Sequence, residues 1–308
     1  MGKIAFVFPG QGAQAVGMGK DAYDGLAASK AIIDRADEAL GFKLSEIIFE
    51  GPDDKLKQTA NTQPALLAVS IALLEALKSK GLKPDYVAGH SLGEYSALVA
   101  AEVLSFEDAV RTVRSRGEFM EQAVPSGQGA MAAVLGAERD TLSRLCEDVS
   151  AAGSRVELAN VNCPGQIVVS GTAAGVAAVV ERGKEAGAKR VIPLEVSGPF
   201  HSSLMQPAAD RLAEVLDAVE LGDASVPVVA NVTAAPVSEA AAIRKLLTQQ
   251  VVSPVLWEDS VAYMIAQGVD TFVEIGSGTV LAGLIKKIDR SVAVKSVNSL
   301  AAIEALEL

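Results

Sequence analysis

Residues 87–97 read VAGHSLGEYSA, and the serine at their centre is the group this sequence best equips to attack a carbonyl. A serine hydroxyl is a poor nucleophile at its free pKa. It needs a base beside it and donors for the negative charge that develops on the acyl oxygen. Gly89-x-Ser91-x-Gly93 closes a short apolar run and opens a helix-forming segment. A sharp turn at that junction lifts the hydroxyl off the sheet and points helix N-terminal N–H groups at the reacting centre. Side chains at the two glycines would collide with the neighbouring strand and helix. The plainer alternative is a serine that caps a helix between turn glycines; a strand before it and a helix after it favour the nucleophile.

The base follows from scarcity, because the chain has only two histidines. His90 is bonded in sequence to Ser91, so its side chain should leave the turn in another direction. His201 lies in SGPFHSSLM, just before a helix. A lone histidine is commonly a surface or satisfied core group. A nucleophilic Ser91 nevertheless has no other imidazole to use, which makes His201 the expected general acid/base. No carboxylate is singled out by spacing to orient that ring, so the third group of a triad is open to a backbone or amide oxygen. Arg111, Arg114 and Arg116 share one helix with Glu118 and Glu121. They read first as a solvated charged face with i,i+4 pairs, and otherwise as a source of one planar, bidentate carboxylate ligand.

The elements around these residues alternate. Strand 3–8 leads into a glycine-rich loop; helices cover 27–40 and 62–80, with Pro64 in a first turn and Gly81 as a cap. Strand 85–88 precedes the serine turn, and helices 92–101 and 105–122 follow it. Residues 130–194 then read β-α-β-β-α-β, with a tight turn at Asn162-Cys-Pro-Gly165, which is the ferredoxin-like order. Afterwards helices at 204–217, 238–250, 257–267 and 279–287 are interleaved with strands at 227–230, 270–274 and 292–297. The expected fold is α/β: an α/β-hydrolase-like core with a mostly parallel sheet, residues 1–125 and 198–308, interrupted by a small ferredoxin-like α+β subdomain, residues 126–197.

Totals exclude several classes. A net charge of −11 argues against nonspecific binding to nucleic acid or anionic membrane. The apolar run 64–77 is too short to span a bilayer, and no signal peptide is expected from IAFVF. Cys146 and Cys163 cannot build a disulfide framework, which suits a cytoplasmic protein, and with two separated histidines they offer no metal-ligand cluster. Gly10-Gln-Gly12-Ala-Gln-Ala15 fits a dinucleotide fingerprint in spacing. Pro9 interrupts its approach, however, and Gly17 and Gly19 spoil the helix that should receive a pyrophosphate. A serine thioesterase remains a rival, since shared machinery does not fix the acceptor.

Seven blocks follow one another over nearly the whole chain: FPGQGAQ (8–14), TQPAL (62–66), GHSLGEYSAL (89–98), RGEFMEQAVP (116–125), GPFH (198–201), SPVLW (253–257) and EIGSG (274–278). In this order they resemble the malonyl-CoA:acyl carrier protein transacylases, free-standing bacterial relatives of the acyltransferase domains of polyketide and fatty acid synthases. The resemblance implies that Ser91 takes malonyl from malonyl-CoA as an ester, with His201 as its base. The malonyl group then passes to the phosphopantetheine thiol of an acyl carrier protein, in ping-pong fashion, to supply fatty acid synthesis. It implies that the Gln250 carbonyl orients His201, that the N–H groups of Gln11 and Leu92 form the oxyanion hole, and that Arg116 holds the malonyl carboxylate. Phe200 matches the position associated with malonyl rather than methylmalonyl units, and His90 and Asn160 join the pocket. No cofactor or metal is implied beyond the substrates, and a monomer is the family expectation. Lys184, Lys189, Arg190, Lys286, Lys287 and Arg290 are the candidate contacts for an acidic carrier protein.

Overall fold

The computed structural model describes residues 2–307; Met1 and Leu308, which the expected large lobe includes, lie outside the described residues. Its strands are β1 (Lys3–Phe8), β2 (Tyr86–Gly89), β3 (Gly129–Leu135), β4 (Val156–Cys163), β5 (Gln166–Thr172), β6 (Arg190–Pro193), β7 (Val228–Val229), β8 (Pro236–Val237), β9 (Val255–Leu256), β10 (Val269–Ile275) and β11 (Ala293–Val297). The larger sheet is ordered β11-β10-β1-β2-β7-β8. It is parallel except at its β7–β8 edge. β1 and β2 are near-continuous buried apolar runs, the pattern of a parallel sheet covered by helices on both faces. Phe8 pairs with Gly89, so the loop after β1 and the serine turn after β2 leave the same carboxyl end side by side. Open α/β sheets bind their ligands at that end.

Helix Thr59–Leu77 runs through the core against helices Ala27–Leu40 and Phe106–Gln122. With its extension to Lys80 it is long and apolar enough by composition to cross a membrane, which the shorter run read from sequence is not. In the fold, 94% of its most apolar window is buried inside the protein. Pro64 lies inside this helix rather than in its first turn. A proline there removes the donor that the carbonyl four residues back requires. Arg114 replaces it, its Nη1 donating to the Ala60 carbonyl at 3.0 Å.

The second sheet is ordered β6-β3-β5-β4-β9. Residues 129–193 run β-α-β-β-α-β, with helices Arg139–Ala151 and Ala173–Arg182 closing their own core around Leu142, Val149, Val169 and Val176. β9 enters from the far side of this segment and pairs in parallel with β4, Asn160 opposite Val255. A short strand from the later part of the chain therefore completes the second sheet five residues beyond Gln250. β4 extends to Cys163, so Asn162 is a strand residue, and the bend falls on Pro164-Gly165, where Gly165 adopts φ 71°.

Candidate active site

Ser91 sits between β2 and helix Gly93–Ala100 with φ 51°, a left-handed conformation that non-glycine residues seldom adopt. The Asn231 side chain brackets this bend. Its Oδ1 accepts the Ser91 N–H at 2.8 Å and its Nδ2 donates to the Gly89 carbonyl at 2.7 Å. Close approach explains the glycines. A Cβ on Gly93 would overlap the Phe8 carbonyl, and one on Gly10 would overlap the His90 carbonyl. Gly10 thus serves the contact between two loops. After it the chain turns without helix until Lys20–Gly25, so no helix stands where a dinucleotide phosphate would need one.

Ser91 Oγ lies 2.7 Å from His201 Nε2, and His201 Nδ1 lies 2.9 Å from the Gln250 carbonyl oxygen. Arg116 Nη2 donates to the same Ser91 Oγ at 3.2 Å. A guanidinium only donates and a carbonyl only accepts. The imidazole must therefore carry its proton on Nδ1, and the serine proton must point into Nε2. His201 also has a left-handed backbone, φ 57°. Burial and the nearby Arg116 cation depress its pKa to about 3, leaving a neutral ring at pH 7.

Of the three arginines on helix Phe106–Gln122, Arg111 reaches Asp108 and the Ala39 carbonyl, and Arg114 reaches Ala60, Asn61 and Glu118. Arg116 alone turns inward, 1% exposed. Its Nη1 donates to Gln63 Oε1 at 2.8 Å and its Nη2 to Gln250 Oε1 at 2.9 Å as well as to Ser91. All three acceptors are neutral oxygens.

Ser91, His201 and Arg116 border a cleft of about 570 Å³ together with Gln11, Asn160 and Phe200. Leu92 joins its lining, and an adjoining cleft of about 670 Å³ shares Gln11, His90 and Asn160 with it. His90 leaves the turn away from Ser91: its Nε2 meets Asn162 Oδ1 at 2.8 Å and its ring tilts against Trp257 at 5.8 Å. Gln11 donates from Nε2 to Thr59 Oγ1 at 3.2 Å. Among the described residues, the backbone N–H groups of Gln11 and Leu92 meet no protein acceptor, and no three His, Cys, Asp or Glu side chains converge as a metal site. Three site residues were not singled out by sequence: Gln63, Asn231 and Glu94. Gln63 and Glu94 lie within the TQPAL and GHSLGEYSAL blocks, and nothing local marks Asn231.

An acyl transferase domain family matches residues 5–304. The malonyl CoA-acyl carrier protein transacylase of Bacillus subtilis (strain 168) is 57% identical over 304 residues, 99% of this chain and 96% of its own length. Among solved structures, an acyl carrier protein S-malonyltransferase from Vibrio cholerae superposes with a TM-score of 0.96 at 44% identity, covering 99% of this chain and 100% of that one. A malonyl-transacylase solved in complex with its type II PKS acyl-carrier protein superposes with a TM-score of 0.95 at 42% identity, over 98% of both chains.

Proposed function

This chain belongs to the acyl transferase domain family, and we propose that it moves a malonyl group from malonyl-CoA to the phosphopantetheine thiol of an acyl carrier protein. The observation that carries this reading is one oxygen with two partners. Ser91 Oγ is hydrogen-bonded to the neutral His201 ring and to the buried Arg116 guanidinium at once. In a malonyl ester a single methylene separates the acyl carbonyl from the free carboxylate, so a cation beside the nucleophile is where that carboxylate needs it. A charge-assisted contact of this kind is worth about 1.5–3 kcal/mol, a preference over acetyl of roughly ten- to a hundredfold.

In the first half-reaction His201 Nε2 takes the Ser91 proton as Oγ bonds to the thioester carbonyl carbon. The Gln250 carbonyl, holding Nδ1–H, stabilises the imidazolium that forms. The Gln11 and Leu92 N–H groups receive the oxyanion. Collapse breaks the carbon–sulfur bond, and His201 returns its proton to the departing coenzyme A thiolate. The carrier-protein thiol then repeats the sequence against the Ser91 ester and restores the free serine. Asn160, Phe200 and the His90 ring, which Asn162 holds, shape the acyl pocket. The adjoining cleft gives the pantetheine arm its approach, and we read residues 126–197 as the lobe that closes over it.

The carrier protein approaches over a basic rim. Lys287 Nζ donates to Gln166 Oε1 at 3.0 Å. Gln166 and Arg190 both pair with Leu135, and the Lys189 N–H donates to the Leu135 carbonyl. Lys287, Lys189 and Arg190 therefore share one end of the small sheet, where Gln166 lines the adjoining cleft. Incubation with malonyl-CoA, with and without carrier protein, tests transfer against hydrolysis. Malonyl carrier protein should form with little free malonate; rapid malonate release without carrier protein would make the protein a thioesterase instead.

A further inference from the structure

The GHSLGE stretch contains a buried acid that the proposed mechanism leaves idle. Glu94, 2% exposed, lies in the first turn of the helix behind Ser91. Its Oε2 accepts from the Asn231 N–H at 3.1 Å and from Gln250 Nε2 at 2.8 Å. Asn231 is the residue that brackets the Ser91 bend. Gln250 reaches three parts of the site. Its Nε2 also donates to the Ser91 carbonyl at 3.1 Å, its own carbonyl accepts from His201, and its Oε1 accepts from Arg116. Above a pH of about 7, where it is ionised, the Glu94 carboxylate can only accept, so the Gln250 amide must turn its NH2 toward Glu94 and its oxygen toward Arg116.

That orientation matters because of what Arg116 lacks. A buried cation is costly without negative charge nearby. An aspartate or glutamate in direct contact would supply the charge but occupy the donors that a substrate carboxylate must use. Glu94 sits one amide away. It lends Arg116 its field through Gln250 while only neutral oxygens hold the guanidinium, and an incoming carboxylate displaces neutral oxygens readily. We propose that Glu94 is a positioning residue for malonyl selection: through Gln250 it presents Arg116 cationic, aligned and unpaired toward the Ser91 ester. The inference rests on the reading of Arg116 as the holder of the malonyl carboxylate.

The test compares malonyl-CoA with acetyl-CoA as donors at a pH above about 7, where Glu94 is ionised, reading the rate of Ser91 acylation by intact mass per acylable site. Failure of the wild-type protein to label from malonyl-CoA would defeat the proposed function itself, separately from Glu94. Given labelling, Glu94→Gln keeps the size but is neutral and can donate as well as accept. It should lower the malonyl-over-acetyl rate ratio by about tenfold, the scale of one charge-assisted hydrogen bond. A merely structural role would lower Tm and the active fraction and leave that ratio alone. Arg116→Ala should lose the ratio by itself, and adding Glu94→Gln to it should change the ratio by less than about twofold, because the two residues act as one unit. Glu94→Asp keeps an acceptor-only carboxylate, so its ratio should lie closer to wild type than that of Glu94→Gln; it also serves if the glutamine variant does not fold. A Glu94→Gln ratio within about twofold of wild type, a full further tenfold loss on the Arg116→Ala background, or an aspartate variant no more selective than Arg116→Ala would each overturn the proposal.

Discussion

In the proposed mechanism His201 is the base, and burial and the neighbouring Arg116 cation keep its ring neutral for that role. Its pKa falls from the ordinary 6.5 to about 3, and the sign of the consequence follows. Between those values the unfolded chain binds a proton that the folded chain refuses, so stability rises with pH across the window and is lost on acidification. Glu94, pushed up to about 7 by burial, works in the opposite sense between 4.5 and 7, where the folded carboxyl holds a proton that the unfolded one releases. Replacing His201 with the non-titrating Gln should flatten the acid dependence of Tm between pH 6.5 and 3, by up to about 1.4 kcal/mol per pH unit for one proton. Thermal unfolding across that range checks it, and parallel curves would count against a depressed His201. Ser91 and His201 mark what sequence can convey. Ser91 stood out by its glycines and His201 by the scarcity of imidazoles. Asn231, which holds the Ser91 N–H from 140 positions away, left no local trace. Its role is a hydrogen bond between distant segments, and no periodicity records such a bond.

The turn that carries Ser91 depends on how closely β1 and β2 run. Gly93 presses on the Phe8 carbonyl, part of the backbone rather than the end of a flexible side chain. Gly93→Ala should therefore cost about 1–3 kcal/mol of stability, as overpacking does, and should slow acylation by moving the turn. Denaturant unfolding measures the first. A change below about 0.5 kcal/mol, the range of an innocuous surface substitution, would mean that the turn yields without strain. Elements longer than about two helical turns were legible from their apolar spacing. Helices Lys20–Gly25, Leu44–Glu50 and Asp53–Lys57, with strands β8 and β9, were not, since five to seven residues, or two, cannot display a period. Pro64 misled by its type. Its usual place is a first turn, and only Arg114, 50 positions later, reveals how an interior proline is tolerated.

Across the whole molecule, the two sheets meet at one cleft, where Ser91 after β2 faces Met131 of β3 and Asn160 of β4. β9 pairs in the small sheet just after Gln250, whose side chain and carbonyl meet Arg116 and His201, so this residue is held from the strand that follows it. The alternation of strands and helices made both sheets legible; β9, two residues long, did not register as an edge of the second sheet. Net charge is −11, so on the proposed reading an acidic carrier protein is drawn to a local rim rather than to the surface at large. Reversing Lys287 and Arg190 to Glu together should raise the KM for carrier protein by roughly tenfold, through lost steering and like-charge repulsion. An unchanged KM would remove the rim from the docking surface.

Brief exposure of the intact protein to malonyl-CoA, followed by mass measurement and peptide mapping, probes the heart of this mechanism. One malonyl group should appear on Ser91, vanish when carrier protein is added, and be missing from Ser91→Ala. A wild-type protein that gains no mass, or a Ser91→Ala protein that still gains it, would contradict an acyl transfer through this serine.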